Sequence, residues 1–178
     1  MKNHPNLRNR AGGFTMIELL AVVTIIVILA SLTIGGLSYF NRKQAESKTR
    51  VQLKLIANAL EAYKSDNGEY PLATNPDGEN QTRILWEALY EDGAKDPDDN
   101  IEIYLPQLDP AVKNQGWLMR KGSSYMIVDP FGFEFRYRRT ENGIGMKNPD
   151  FDLWSVGPDG KSKPQSPNHR DNKDDIWE

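Results

Sequence analysis

Between positions 14 and 40 every residue is apolar or small and uncharged except Glu18, with Ser, Thr and Tyr counted as neutral. A run of that length can cross a bilayer as a helix, so the pattern predicts a membrane helix over 14–40. Gly35-Gly36 lies inside it. Two glycines lower helix stability by roughly 1 kcal/mol each relative to alanine, which permits local stretching or, equally, close helix packing through small residues. Beyond Phe40 the composition turns amphipathic. Val51, Leu55, Ile56, Ala59, Leu60 and Tyr63 recur at helical spacing and predict a rod with one face on a globular domain. Lys48, Arg50, Lys54, Glu61 and Lys64 read as its solvated or intersubunit face.

Asp66-Asn67-Gly68 supplies a helix stop, and 72–81 is a loop rich in Asn, Pro, Asp and Gly. A short helix follows, in which Ile84, Leu85, Ala88 and Leu89 form an apolar stripe with Trp86 beside it, suited to covering a core. Positions 92–100 read as an acidic, solvated connector. Two strands, 125–128 and 133–137, flank Asp129-Pro130-Phe131-Gly132 and predict a β-hairpin. Positions 151–156 predict a third strand, and the alternating aromatics are suited to core and cross-strand packing. The fold class is therefore α+β, a long helix packed on a small antiparallel sheet.

Charge fixes an orientation. Lys2, Arg8 and Arg10 precede the apolar run with no acid among them, so the leader stays in the cytoplasm and the remainder faces outward. Without those three bases the chain keeps 19 of its 22 basic side chains against 25 acidic ones, a net of −6. A general basic surface for nucleic acid is excluded. With no cysteine, the exported domain depends on its core or on a metal rather than on disulfides. The roughly 138 residues after position 40 suffice for one small domain.

The junction at Gly13 is the most specific feature. In a secretory signal the small-residue cleavage site follows the apolar stretch, whereas Gly13 precedes it. A cut there leaves the helix on the mature protein with Phe14 first. A carboxylate inside a hydrocarbon-spanning helix costs a few kcal/mol unless it is partnered. Glu18 either snorkels to the interface or pairs with the Phe14 amine of an adjacent subunit whose helix is axially offset. Gly13, Phe14, Thr15 and Glu18 resemble, residue by residue, the prepilin signature of the type IV pilin and pseudopilin superfamily. The resemblance implies a pilin-like fold, cleavage between Gly13 and Phe14 by a prepilin peptidase, and methylation of the new Phe14 amine. Gly35-Gly36 departs from the family, whose helices often carry a proline there.

Asp66-Asn67-Gly68-Glu69-Tyr70-Pro71, the Asp129 turn, and Leu153-Trp154-Ser155-Val156-Gly157-Pro158-Asp159-Gly160 with Asp174-Asp175-Ile176-Trp177 resemble the G-type major pseudopilins of type II secretion. That resemblance implies a calcium-binding carboxyl-terminal loop. Asp159 carries over as one carboxylate ligand and Val156 as a carbonyl donor, while Asp174 and Asp175 compete for the second carboxylate and Asp171 is a further candidate. Val156 stands where the family usually has Leu, the loop is longer, and Trp177 follows Ile176 directly. Oxygen-only donors in flexible geometry suit calcium, and the tail looks too polar to order itself by burial.

No catalytic constellation emerges: His4 belongs to the leader, His169 stands alone, and Ser123-Ser124 has no base partner in the pattern. The sequence divides into a leader (1–13), a transmembrane and assembly helix (14–40) and an extracytoplasmic domain (41–178). The resemblance implies a non-enzymatic subunit, anchored in the inner membrane with its domain in the periplasm, that forms a homopolymeric pseudopilus. Its implied partners are minor pseudopilins, the prepilin peptidase, and an inner-membrane platform with its cytoplasmic ATPase. Two readings stand beside it: a type IV pilin of an adhesion, motility or DNA-uptake filament, and a monomeric membrane-anchored binding protein.

Overall fold

Helix α1, Met16–Asn67, contains 52 residues and passes through Gly35-Gly36 unbroken. The structure, a computed structural model, describes residues 13–95, 102–112, 116–139 and 146–178, and for 32–36 the backbone alone. The leader, apart from Gly13, lies outside the described residues. The chain forms two compact units, Met1–Asn41 and Arg42–Glu178, and α1 contributes to both. In the first unit the large apolar side chains from Phe14 to Leu29 are 49–86% exposed.

In the second unit α1 packs through Thr49, Leu53, Ile56 and Leu60, all at most 1% exposed, with Gln52, Ala57 and Ala59 beside them. Val51, expected on this face, is 55% exposed. It sits about 200° around the helix from Thr49 and from Leu53. Thr49 can take the buried place because its hydroxyl donates to the Ala45 carbonyl at 2.9 Å. The predicted stop holds: Gly68 adopts φ 84° and its amide donates to the Lys64 carbonyl at 2.8 Å, a left-handed C-cap that glycine adopts without strain.

Helix α2, Thr82–Trp86, continues through a π-helical turn, Glu87–Glu91, into α3, Asp92–Lys95. The Glu134 carboxylate sits at its start, accepting from the Thr82 hydroxyl at 2.8 Å and the Asn80 amide at 3.3 Å, where negative charge is favoured. Leu85, Trp86, Ala88 and Leu89 are buried, as the stripe predicts. The connector expected from position 92 begins later. Asp92–Lys95 is helical, supported by the i,i+4 pair of Lys95 with Glu91 at 3.1 Å, and 96–100 lie outside the described residues.

Strands β1, Leu118–Lys121, and β2, Ser124–Ile127, form an antiparallel hairpin whose two-residue turn places Gly122 at φ 65°. Strands β3, Arg136–Arg138, β4, Asp152–Ser155, and β5, Ile176–Trp177, form a second antiparallel sheet in the order β3-β4-β5. The hairpin predicted across the Asp129 turn is thus corrected. Its arms meet at the Val128–Glu134 bridge, flanked by the Phe135 amide, which donates to the Ile127 carbonyl at 3.0 Å, and the Asp129 amide, which donates to the Phe133 carbonyl at 2.8 Å. The Asp129 carboxylate draws in the Phe131 and Phe133 amides, both at 3.0 Å, and the flanking strands β2 and β3 then diverge into separate sheets. The long helix on small antiparallel sheets is the expected α+β architecture.

The core joins α1, α2 and both sheets. Tyr70 meets Phe151 edge to face at 5.0 Å, and the Tyr137 hydroxyl donates to the Pro71 carbonyl at 2.8 Å. One ion pair is buried with them: Arg138 bonds Asp152, with side chains 4% and 0% exposed. Asp152 also accepts the Lys147 and Asn148 amides, each at 2.9 Å. These bonds serve the Asp152 carboxylate, as a buried charge requires to offset its desolvation, while Arg138 Nε is buried without a partner among the described residues.

Candidate assembly and cation sites

At the amino-terminal site Thr15 and Glu18 cap α1 reciprocally. The Glu18 carboxylate accepts from the Thr15 amide at 2.8 Å and hydroxyl at 2.7 Å, and the Thr15 hydroxyl oxygen accepts the Glu18 amide at 3.3 Å. This is a capping box, legible as Thr-x-x-Glu before an apolar run, and the sequence reading overlooked it. Within its own chain Glu18 therefore already has a partner. Among the described residues nothing lies within 4 Å of a Cβ at Gly13, and Phe14 is 82% exposed, so none of them covers the peptide joining the two. Among the described residues no helix is long and apolar enough to cross a membrane. The apolar run continues from Ser31 to Phe40, with Leu37, Tyr39 and Phe40 exposed like the large apolar side chains from Phe14 to Leu29.

At the other end β4 leads into Val156, which is fully buried, and Gly157 at φ 67°. A Cβ on Gly157 would collide with the Asp174 backbone carbonyl, so only glycine allows this approach. The Asp159 amide donates to Asp174 Oδ2 at 3.1 Å, and Asp159 Oδ1 accepts the Lys161 amide at 2.8 Å. Asp175 Oδ2 accepts the Ser162 hydroxyl at 2.7 Å, while its Oδ1 is buried without a partner. Burial pushes the Asp175 carboxyl up to about 6, against the pull of the Ser162 hydrogen bond and helped by the charges of Asp174 and Asp159. The fold thus gathers Asp159, Asp174 and Asp175 beside Val156-Gly157. Asp171 is engaged elsewhere, 3.3 Å from Arg170 and 3.4 Å from His169. Among the described residues no three or more His, Cys, Asp or Glu side chains converge as ligands around a metal position. Any cation here would draw on backbone carbonyls as well.

The tail orders itself more than its polarity suggests, which corrects the sequence expectation. Ile176 is 5% exposed, and Trp177 stacks on Trp154 at 4.6 Å with planes 11° apart. Lys147 Nζ lies 4.1 Å over the Trp177 ring. The Asn172 side chain ties Lys163 and Ser166 together through bonds of 2.6–3.0 Å. His169, alone in the sequence pattern, caps the 3₁₀ turn Arg170–Asn172 by accepting the Asp171 amide.

Comparison with known proteins matches residues 8–34 to the prokaryotic N-terminal methylation motif. The chain is 34% identical over 154 residues to type II secretion system core protein G of Pseudomonas aeruginosa, spanning 86% of this chain and 88% of the relative. It is 30% identical over 158 residues to the protein of that name from Escherichia coli, covering 86% of each. The Klebsiella pneumoniae relative is 28% identical over 158 residues, covering 83% of this chain and 97% of its own. No solved structure matches the chain. With likeness extending over most of both chains and a methylation motif over the junction at Gly13, the chain belongs to the type II secretion system core protein G family.

Proposed function

We propose that the chain is the structural subunit of a type II secretion pseudopilus, polymerising through its amino-terminal helix to drive export of proteins across the outer membrane. The observation that carries this reading is the apolar surface of α1 from Phe14 to Leu29, uncovered within the chain, in a protein whose relatives are core components of that machine. Burying each large apolar side chain in lipid gains about 1.5–3 kcal/mol, and the later association of helices adds close packing rather than a second transfer gain. Cleavage after Gly13 creates the Phe14 amine. On assembly Glu18 exchanges its Thr15 contacts for the amine of an adjacent subunit. The precursor is a single-pass inner-membrane protein with its domain in the periplasm. Minor pseudopilins, the prepilin peptidase, the inner-membrane platform and its ATPase are its partners. His169 serves as a cap and Ser123 as a turn residue, which supports a structural rather than a catalytic role. Intact mass of the membrane-extracted protein tests the reading. Loss of residues 1–13 only in cells holding the prepilin peptidase is expected, and the full-length mass in both strains would favour a monomeric anchored protein.

Calcium belongs to the same proposal. The carboxylates of Asp159 and of Asp174 or Asp175, with the Val156 carbonyl, would hold it. The unpartnered buried Oδ1 of Asp175 and the crowding of three like charges support the fit, since bound calcium neutralises that repulsion. An all-oxygen donor set suits the ion. With calcium at 100 times its dissociation constant the full chain in detergent should gain about 2.7 kcal/mol, and Asp159→Ala should lose most of that gain. An unchanged melting temperature in both proteins sinks the calcium assignment.

A further inference from the structure

The loop that closes over the aspartate cluster contributes a side chain to which neither the sequence pattern nor the family comparison assigns a role. Ser162 stands between Trp154 and Asp175. The Trp154 indole Nε1 donates to the Ser162 hydroxyl oxygen at 3.1 Å, and that hydroxyl donates to Asp175 Oδ2 at 2.7 Å. A hydroxyl has one proton to give. With the indole N–H occupying an acceptor position, that proton is committed to the carboxylate. Trp154 is itself immobile, fully buried in β4 and stacked on Trp177. The relay therefore ties the Asp175 carboxylate to the rigid sheet and satisfies one of its oxygens. The other, Oδ1, is the single carboxylate oxygen among the buried side-chain atoms that lack a partner in the described residues.

We infer that Ser162 is a positioning residue for the cation site: it fixes Asp175 so that Oδ1 is left for calcium, making Asp175 a carboxylate ligand beside Asp159. This rests on the calcium reading above. Without the hydroxyl, Asp175 loses its anchor to Trp154 and a preformed ligand becomes a free rotor. Partners that orient metal ligands in this way typically contribute 10–100-fold in affinity.

The test is calorimetric titration of the full mature chain in detergent with calcium chloride, alongside tryptophan fluorescence, to which the stacked Trp154 and Trp177 contribute together with Trp86 and Trp117. Ser162→Ala should weaken calcium binding about 10-fold and lower the calcium-bound melting temperature by more than the calcium-free one. Ser162→Thr, which keeps the hydroxyl, should restore the affinity. Parental affinity in Ser162→Ala would overturn the inference and spare the calcium reading. An equal loss of melting temperature with and without calcium in Ser162→Ala would also overturn it, assigning the serine to loop stability alone. No calcium binding by the parent protein would overturn both.

Discussion

The two halves of α1 share one continuous helix and have opposite fates. Leu20 and Leu29 are each 58% exposed, whereas Leu53 and Leu60 are at most 1% exposed. The more apolar half is the one left uncovered. Hydrophobicity along a chain therefore measures a demand for cover rather than the location of the core. The distal half meets that demand with its own sheets and short helices. The proximal half has to find lipid or other copies, because contiguous apolar surface of this extent marks an interaction site.

The most severe way to break this contrast is truncation at matched sites. Leu60→Ala should destabilise the domain by about 2–5 kcal/mol in chemical denaturation of the full chain, while Leu20→Ala should stay within about 0.5 kcal/mol and instead reduce cross-linked oligomers. Equal costs at both sites would show that the proximal half is packed within its own chain. A smaller effect tests whether that half organises its own start. Thr15→Ala removes one side of the capping box and should cost about 1 kcal/mol of local stability, read as faster amide exchange at 16–18. The least effect lies where the halves meet. The hydrogen bond from Lys43 holds Glu46 below the ordinary 4.5, opposed by partial burial and assisted by Arg42. A lowered folded-state value means that the stabilisation is complete above 4.5 and is lost as pH falls through the lowered value. Amide protection near Glu46 should therefore decline in acid, more than in Glu46→Gln, and only slightly, because exposed pairs are screened. Identical acid profiles would remove Glu46 from the account.

What could be read from the sequence followed the strength of each local signal. The Asp66-Asn67-Gly68 stop and the stripe from Ile84 to Leu89 were legible because they combine helical periodicity with a breaker. Strand β1 was not: Leu118 is half-buried, Met119, Arg120 and Lys121 are exposed, and nothing in such a run alternates. Strand β5 has two residues, too few for any period, and it forms because β4 offers an edge and Trp154 a stacking face. The aspartates of the proposed cation site were legible through the resemblance of 153–160 and 174–177 to the family's carboxyl-terminal pattern. Ser162 was not, because its role depends on an indole eight positions away that only the fold brings to it. Thr15 was legible in principle, and its capping signature was obscured by the more conspicuous Glu18.

The buried pair of Arg138 with Asp152 bears on how the sheet is proofread. In the native register Arg138 lies opposite Asp152 and Trp154 opposite Trp177. A one-residue slip of β4 turns every side chain to the other face, which would carry Asp152 away from Arg138 and from the two amides that serve it. A separated buried charge costs about 3–5 kcal/mol, comparable with the stability of a small domain. The native β3–β4 register is therefore favoured over a slipped one, and it is the register that also sets Trp154 opposite Trp177 of β5.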